Sequence, residues 1–344
     1  MEIHPKISPL FLFSILISFS FMITLSHTAE LCHPSDENAL LEIKSRLGPN
    51  LSFFDTWRPN TDCCSWINVA CDKRTHRVNY LAVGQNRDLS GQIPSVVGQL
   101  SHLETLWFND MPGLTGPIPS ALSNLANLKE LMLARTNLTG PIPSFLGRLT
   151  KLTDLDLSEN RLYGPIPGSL SQLSNLQQLK IFKNQLTGSI PESFGSFKKL
   201  FFQAYENQLS GPVPRSLVRA DFSWVDLSSN QLTGDASVLF GRRKRAAYIN
   251  LNNNAVSFDL SKVEFPSKLQ GLDLSHNVIY GSIPQQLAKL PLKVLNVSYN
   301  QLCGPIPTGL TQFGSDAFAS NKCLCGAPLA PCKSISLFFH PSFM

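Results

Sequence analysis

Two carboxylates, Asp154 and Asp156, stand two residues apart in the run Leu152-Thr153-Asp154-Leu155-Asp156-Leu157-Ser158. On an extended strand they share one face at about 7 Å. Paired acids can hydrolyse a glycoside, one group donating a proton while the other attacks or activates water. That reaction also needs a concavity closed around a sugar, and the surrounding pattern is an open strand. The pair therefore reads as balancing Lys180 and Arg135 on neighbouring strands, or as meeting the basic rim of another macromolecule. No glycine-rich phosphate loop and no convincing Ser/His/Asp set is present. The seven histidines are scattered, and His276 reads as a solvated rim residue. The expectation is a protein that is not an enzyme, with no cofactor and no metal.

The elements that carry this pair repeat. A phrase of the form Leu-x-Leu-x-x-Asn-x-Leu-x-Gly-x-Ile-Pro returns about every 24 residues, most clearly at Leu155, Leu157, Asn160, Leu162, Gly164, Ile166 and Pro167. The phrase glycines are Gly91, Gly116, Gly140, Gly164, Gly188, Gly211, Gly234, Gly281 and Gly304, and Phe258 fills one further slot, giving ten repeats. A fixed period of this length marks a leucine-rich-repeat solenoid. Within a repeat the leucines point inward, and Asp154, Asp156 and Ser158 point outward. Asn160 closes the strand by bonding backbone at the turn. Gly164 allows the bend, and residues 168–173 form a short helical turn behind. The fold class is an α/β solenoid: a right-handed superhelix of about ten plant-type repeats, a concave parallel sheet and disulfide-stapled caps.

Some copies deviate. Met111 and Thr136 occupy the Asn slot in repeats 2 and 3. Repeat 6 is two residues short and puts Phe202 and Ala204 in leucine slots. Repeat 7 loses its Ile-Pro and runs on to Arg242-Arg243-Lys244-Arg245, read as a solvated convex loop.

Residues 1–29 read as a signal peptide, with Lys6, an apolar run from Leu10 to Leu25, and small residues ending at Ala29. The apolar run is short for a bilayer span, and no later segment is expected to cross a membrane. Eight cysteines fit an oxidising compartment. Cys32, Cys63, Cys64 and Cys71 precede the repeats; Cys303, Cys323, Cys325 and Cys332 end them. Pairing within each group leaves nine connectivities, of which Cys32–Cys63, Cys64–Cys71, Cys303–Cys323 and Cys325–Cys332 is favoured. The limits are a signal peptide over 1–29, a cap over 30–77, repeats over 78–307, and a C-terminal cap and tail over 308–344. Sequons stand at Asn50, Asn137 and Asn296, with Asn137 expected to be exposed. A charged fraction of 15% is low, and the net charge of +5 fits either plain solubility or attraction to an acidic partner such as pectin.

Counting back from the Asn slots gives the outward residues. The partner-binding set is Trp107, Asp154, Asp156, Lys180, Phe182, Gln203, Tyr205, Trp224, Asp226 and Tyr248. The aromatics among them form an exposed stripe, and exposed aromatics mark interfaces. A register slip in repeat 6 would bury Phe201 and Tyr205 instead. Arg135 is counted with Glu130 and Met132 as outward in repeat 3.

More specific motifs carry a resemblance. They are Asp36-x-x-Ala39-Leu40-Leu41-x-Ile43-Lys44, the segment Trp57 to Cys71, Gly234-Asp235-Ala236-Ser237-Val238-Leu239-Phe240-Gly241, Leu295-Asn296-Val297-Ser298-x-Asn300-x-Leu302-Cys303-Gly304, and Cys323-Leu324-Cys325-Gly326-x-Pro328-Leu329. Over residues 30–332 the chain resembles plant polygalacturonase-inhibiting proteins. The resemblance implies a secreted, monomeric, glycosylated defence protein of the plant cell wall and apoplast. Its concave sheet would bind fungal or insect endo-polygalacturonase and obstruct the substrate cleft, and it would have some affinity for pectin but none for nucleic acid. Twelve residues follow Cys332, more than in such relatives. Two other functions fit the same coil: a secreted partner in peptide or receptor signalling, and ice binding, for which only Asn250, Asn252, Asn253 and Asn254 offer an array.

Overall fold

Alternation of leucine with polar residues dictates a strand with one buried face, and the computed structural model, which describes residues 32–332, stacks such strands once per repeat. The concave sheet runs Val78–Gly84, Thr105–Gly116, Glu130–Pro141, Asp154–Asp156, Gln178–Lys180, Lys198–Gln203, Asp221–Asp226, Tyr248–Asn250, Gly271–Asp273 and Val294–Asn296. Each strand pairs parallel with its neighbour in chain order, and Val69–Cys71 closes the N-terminal edge antiparallel. A second set of short parallel strands follows the bend, among them Arg161–Pro165, Gln185–Gly188, Gln208–Pro212 and Gln231–Gly234. The convex side is built of 3-10 turns such as Gly168–Gln172. One continuous apolar core runs through the coil. The expected signal peptide and the segment after Cys332 lie outside the described residues.

The turn between the two sheets is set by asparagine. Asn184 Nδ2 donates to Leu157 O, Ile181 O and Phe182 O at 3.0, 3.3 and 3.1 Å, while its Oδ1 accepts Leu162 N–H at 3.0 Å. Leu157 and Leu162 belong to the preceding repeat, so one side chain closes its own turn and binds the previous coil. Asn160, Asn207, Asn230, Asn254, Asn277, Asn300 and Asn321 reach back in the same way. Asn321 lies inside the C-terminal cap, which therefore begins as a truncated eleventh coil. Where the sequence has Met111 or Thr136 instead, the strands run unbroken as Thr105–Gly116 and Glu130–Pro141. The Thr136 hydroxyl donates a hydrogen bond to Asn160 Oδ1, joining the ladder in place of an asparagine. The residue before each slot has left-handed backbone, as at Glu159 (φ 54°), Lys183 (51°) and Glu206 (51°).

Repeat 6 holds its register from Phe201 onward, after an irregularity at Leu200 against the next strand. Phe202 and Ala204 fill the core, and Phe194 and Phe222 pack on Phe202 with ring centroids 5.8 and 6.1 Å away. Phenylalanine volume compensates for the small Ala204, so Phe201 and Gln203 keep register with Gln178 and Lys180 on one side and with Trp224 and Asp226 on the other.

Both ends are closed. The helix Pro34–Leu47 covers the N-terminal end with Ala39, Leu40, Ile43 and Leu47 inward. Buried Asp36 accepts two bonds from Arg77, at 2.9 and 2.8 Å, and one from Val78 N–H at 2.9 Å. That pair joins the cap to the first strand, and removing one partner would strand a buried charge. The four disulfides are Cys32–Cys63, Cys64–Cys71, Cys303–Cys323 and Cys325–Cys332.

The basic run is solvated at Arg242, Arg243 and Arg245, as expected from sequence, but Lys244 is drawn in. Lys244 is half-buried and its Nζ donates to Leu217 O and Ala220 O at 2.8 and 2.7 Å, with burial holding its pKa below the usual lysine range. Arg245 pairs with Asp221 at 3.2 Å and Arg242 with Glu264 at 3.1 Å. The run clamps adjacent turns together in place of the missing Ile-Pro.

Replacing Asn277 by Ala tests the ladder. It removes bonds to Leu251 O, Leu274 O, Ser275 O and Val256 N–H at a site only 8% exposed. Denaturant unfolding should show a loss of roughly 2–4 kcal/mol.

Candidate partner-binding face

Strict parallel register turns the concave surface into columns. One reads Tyr80, Thr105, Glu130, Asp154, Gln178, Phe201, Trp224, Tyr248, Gly271, Val294; the next reads Ala82, Trp107, Met132, Asp156, Lys180, Gln203, Asp226, Asn250, Asp273, Asn296. Phe182 and Tyr205 stand two residues beyond the second column, in the turns that follow their strands. Nine of the ten expected contact residues are half-buried side chains on this face; Asp226 is the exception.

The N-terminal half is charged. Trp107, Glu130, Met132, Asp154, Asp156, Gln178 and Lys180 line an open depression of about 370 Å³. Asp156 is already committed. Its Oδ1 accepts Ser158 N–H at 3.0 Å and the Ser158 hydroxyl, and its Oδ2 lies 3.7 Å from Lys180 Nζ. Asp154 accepts the Thr153 hydroxyl at 2.7 Å. The depression is open and one carboxylate is tied down, so the pair does not form a glycosidase centre. Ser158, expected outward, is buried by the same bond.

The left-handed position adds a rim that sequence counting missed. Asp110, Arg135, Glu159, Lys183 and Glu206 follow one another along it, alternating in sign. Arg135 bonds Asp110 through two nitrogens, and Lys183 lies 3.8 Å from Glu159. The Arg135 bond holds the Asp110 carboxyl below the usual carboxylate range. Arg135 thus belongs to the rim, and buried Ala134 fills the outward slot assigned to it. Thr136 in the Asn slot hid the count; the signal was the polar residue before every Asn.

The C-terminal half is aromatic. Phe201, Trp224 and Tyr248 stack in one column, with centroid spacings of 5.5 and 4.0 Å and interplanar angles of 25° and 14°. Phe182 and Tyr205 stack beside them at 4.4 Å and 7°. Trp107 stands apart, edge-on to Tyr80 at 5.6 Å. Beyond the rings lie amides: Asn250 caps Asn252 N–H, Asn252 bonds Ser275, and Asn254 serves the ladder. These three asparagines staple coils and are half-buried, and of the four expected to form an array only Asn253 is exposed. His276 stacks on Tyr299 at 4.2 Å on the exposed rim.

Asp226 corrects the sequence expectation most clearly. It is 9% exposed, and its Oδ1 accepts Ser228 N–H and Oγ–H at 3.1 and 2.7 Å, with Asn250 Nδ2 3.2 Å from Oδ2. Asp273-x-Ser275 and Asn296-x-Ser298 repeat the motif, so it is an internal cap. Burial raises the Asp226 pKa, and these hydrogen bonds offset only part of the shift. Among the sequons, Asn50 is exposed, whereas Asn137 is half-buried and donates to Pro112 O at 2.7 Å.

A capped coil with a curved, chemically varied sheet defines a plant-type leucine-rich-repeat protein. Family models described as "Leucine rich repeat N-terminal domain" and "Leucine rich repeat" match residues 33–72 and 126–186, with further repeats at 268–290 and 291–313. Polygalacturonase inhibitor 1 of Arabidopsis thaliana is 56% identical over 93% of this chain and 98% of its own length. The polygalacturonase inhibitor of Pyrus communis is 54% identical over 89% and 93%. The chain belongs to the polygalacturonase-inhibitor family. A solved plant ice-binding protein, 46% identical, superposes with a TM-score of 0.85 over 89% of this chain and all of its own. A chain of the solved PEPR1–AtPEP1 structure, 29% identical, gives 0.67 over 85% of this chain and 46% of that one. No helix among the described residues is long and apolar enough to cross a membrane.

The Asp226 shift makes stability depend on pH. Its folded pKa lies above the usual 3.8, so the folded state holds this proton more tightly, and stability is lost as pH rises from that value through the folded one. Asp226→Asn should therefore gain on the wild type in thermal unfolding midpoint between pH 3.5 and 7, with the difference levelling off above the folded pKa. A difference independent of pH would contradict the assignment.

Proposed function

We propose that this protein binds and inhibits a pathogen endo-polygalacturonase, fungal or from insects, through the concave face of repeats 2 to 8. It acts after secretion, in the plant cell wall, and performs no reaction of its own. The observation that carries the reading is the paired aromatic stacks Phe201–Trp224–Tyr248 and Phe182–Tyr205, held in register on an open sheet. Partly exposed aromatics on a rigid frame lose little side-chain entropy on docking and supply most of the energy of an interface. The charged half beside them steers and orients the partner. Family membership, with several relatives named as polygalacturonase inhibitors, supports polygalacturonase as that partner. The ice-binding neighbour shares the coil, but Asn250, Asn252 and Asn254 are spent on internal bonds here.

The test is release of reducing ends from polygalacturonate by a panel of fungal enzymes. Wild-type protein should suppress release by at least one enzyme. Tyr248→Ala and Phe182→Ala should each weaken inhibition by about 30-fold or more, the size of a hot-spot loss. Tyr163→Ala, on the second set of strands and 53% exposed, should leave inhibition unchanged. Undiminished release across a broad panel would sink the reading.

A further inference from the structure

Among the described residues one buried side-chain nitrogen or oxygen lacks a hydrogen-bond partner, and it is Trp224 Nε1. A shielded donor without an acceptor is a standing cost, and folded proteins seldom keep one without a use for it. Phenylalanine would give a ring without that cost, and the next residue in the column is Phe201. The orphan sits in the middle of the three-ring stack on the candidate face.

The stack also decides what the indole can offer. Phe201 covers one face and Tyr248 the other, the latter at 4.0 Å and 14°. With both faces taken, Trp224 cannot stack on a sugar ring or receive a cation over its π-cloud. That leaves its edge, whose N–H is itself shielded in the free protein, and a ring edge carries the positive end of the quadrupole together with the N–H. An edge of that sign pairs with an oxygen. Gly271 sets the geometry from the far side. A Cβ at 271 would lie 2.1 Å from Tyr248 Cδ2, so only glycine lets the Tyr248 ring lean over that strand while staying parallel to the indole.

We propose that Trp224 Nε1–H is a donor held for a carbonyl or carboxylate oxygen of a polypeptide partner, with Tyr248 and Gly271 as its positioning residues. The inference rests on the inhibitor reading and adds the chemistry of one contact to it. Docking displaces the Tyr248 ring enough to admit the partner oxygen, and the cost carried by the free protein is relieved in the complex. Trp224 therefore trades stability for binding.

That trade is the test. Trp224→Phe keeps a ring in the stack and removes the donor. Its thermal midpoint should equal or exceed that of the wild type, while capture of an inhibited polygalacturonase on a sensor surface weakens about three- to tenfold, the range for one hydrogen bond. Gly271→Ala should push Tyr248 onto the indole and weaken capture as well. In ¹⁵N-labelled wild-type protein the Trp224 indole resonance should move when the enzyme is added and stay put with a purified oligogalacturonide. Unchanged capture by Trp224→Phe would overturn this inference and leave the inhibitor reading standing. A resonance that follows the oligogalacturonide would overturn the choice of a polypeptide. Wild-type protein that captures no enzyme would overturn both.

Discussion

From repeat 4 to the C-terminal cap this coil depends on one asparagine per turn. A solenoid must bend the chain sharply between two sheets, and the bend turns carbonyls inward, of which one per turn, such as Phe182 O, also takes a backbone N–H from the preceding coil. A buried orphan carbonyl is costly, and no apolar side chain can satisfy it. Asn184 gives its amide to three carbonyls and takes one N–H, two of the four groups belonging to the previous repeat. Local closure and long-range stacking are thus the same set of bonds. A coil cannot drift relative to its neighbour without breaking its own turn.

Rigid stacking is what makes the outward face usable. Residues at equivalent positions fall into columns a strand spacing apart, about 4.8 Å, which lets rings in successive repeats stack. The ladder constrains inward residues and leaves outward ones free to vary. The ice-binding neighbour and the PEPR1–AtPEP1 structure superpose on the same coil, so coil likeness alone says little about what is bound. The ends need separate treatment, because a coil has open faces. The helix Pro34–Leu47 covers one end, and the eleventh coil carrying Asn321 covers the other.

The period made the coil legible. Leucine alternation, the Asn slots and the segregation of cysteines each follow from a rule that every repeat obeys. What stayed hidden was where one residue type plays two parts. Asp156 and Asp226 look identical to exposed acids, yet a serine two residues on turns each into an internal cap. The recurring Asp-x-Ser at 226 and 273 was the available clue. Arg135 was miscounted because Thr136 hides the slot that anchors the count. The second set of strands had no alternation long enough to announce it. Repeat 6 kept its register through phenylalanine volume, a packing balance that counting residues cannot weigh.

Charge and aromatics divide the work of the face. In the N-terminal half Asp110 pairs with Arg135, Asp156 with Lys180 and Glu159 with Lys183. These groups are already partnered, and all but Asp156 are partly exposed, so a docking molecule gains little by replacing one ion pair with another. Their alternation instead penalises a partner set one repeat out of place, since each sign would then meet its like. The aromatic half has no such internal settlement. Its rings stay partly in water and one indole donor stays unbonded. Burying them yields free energy that the isolated protein does not already have. On the proposed reading, the charged half would fix where a partner sits and the aromatic half how tightly.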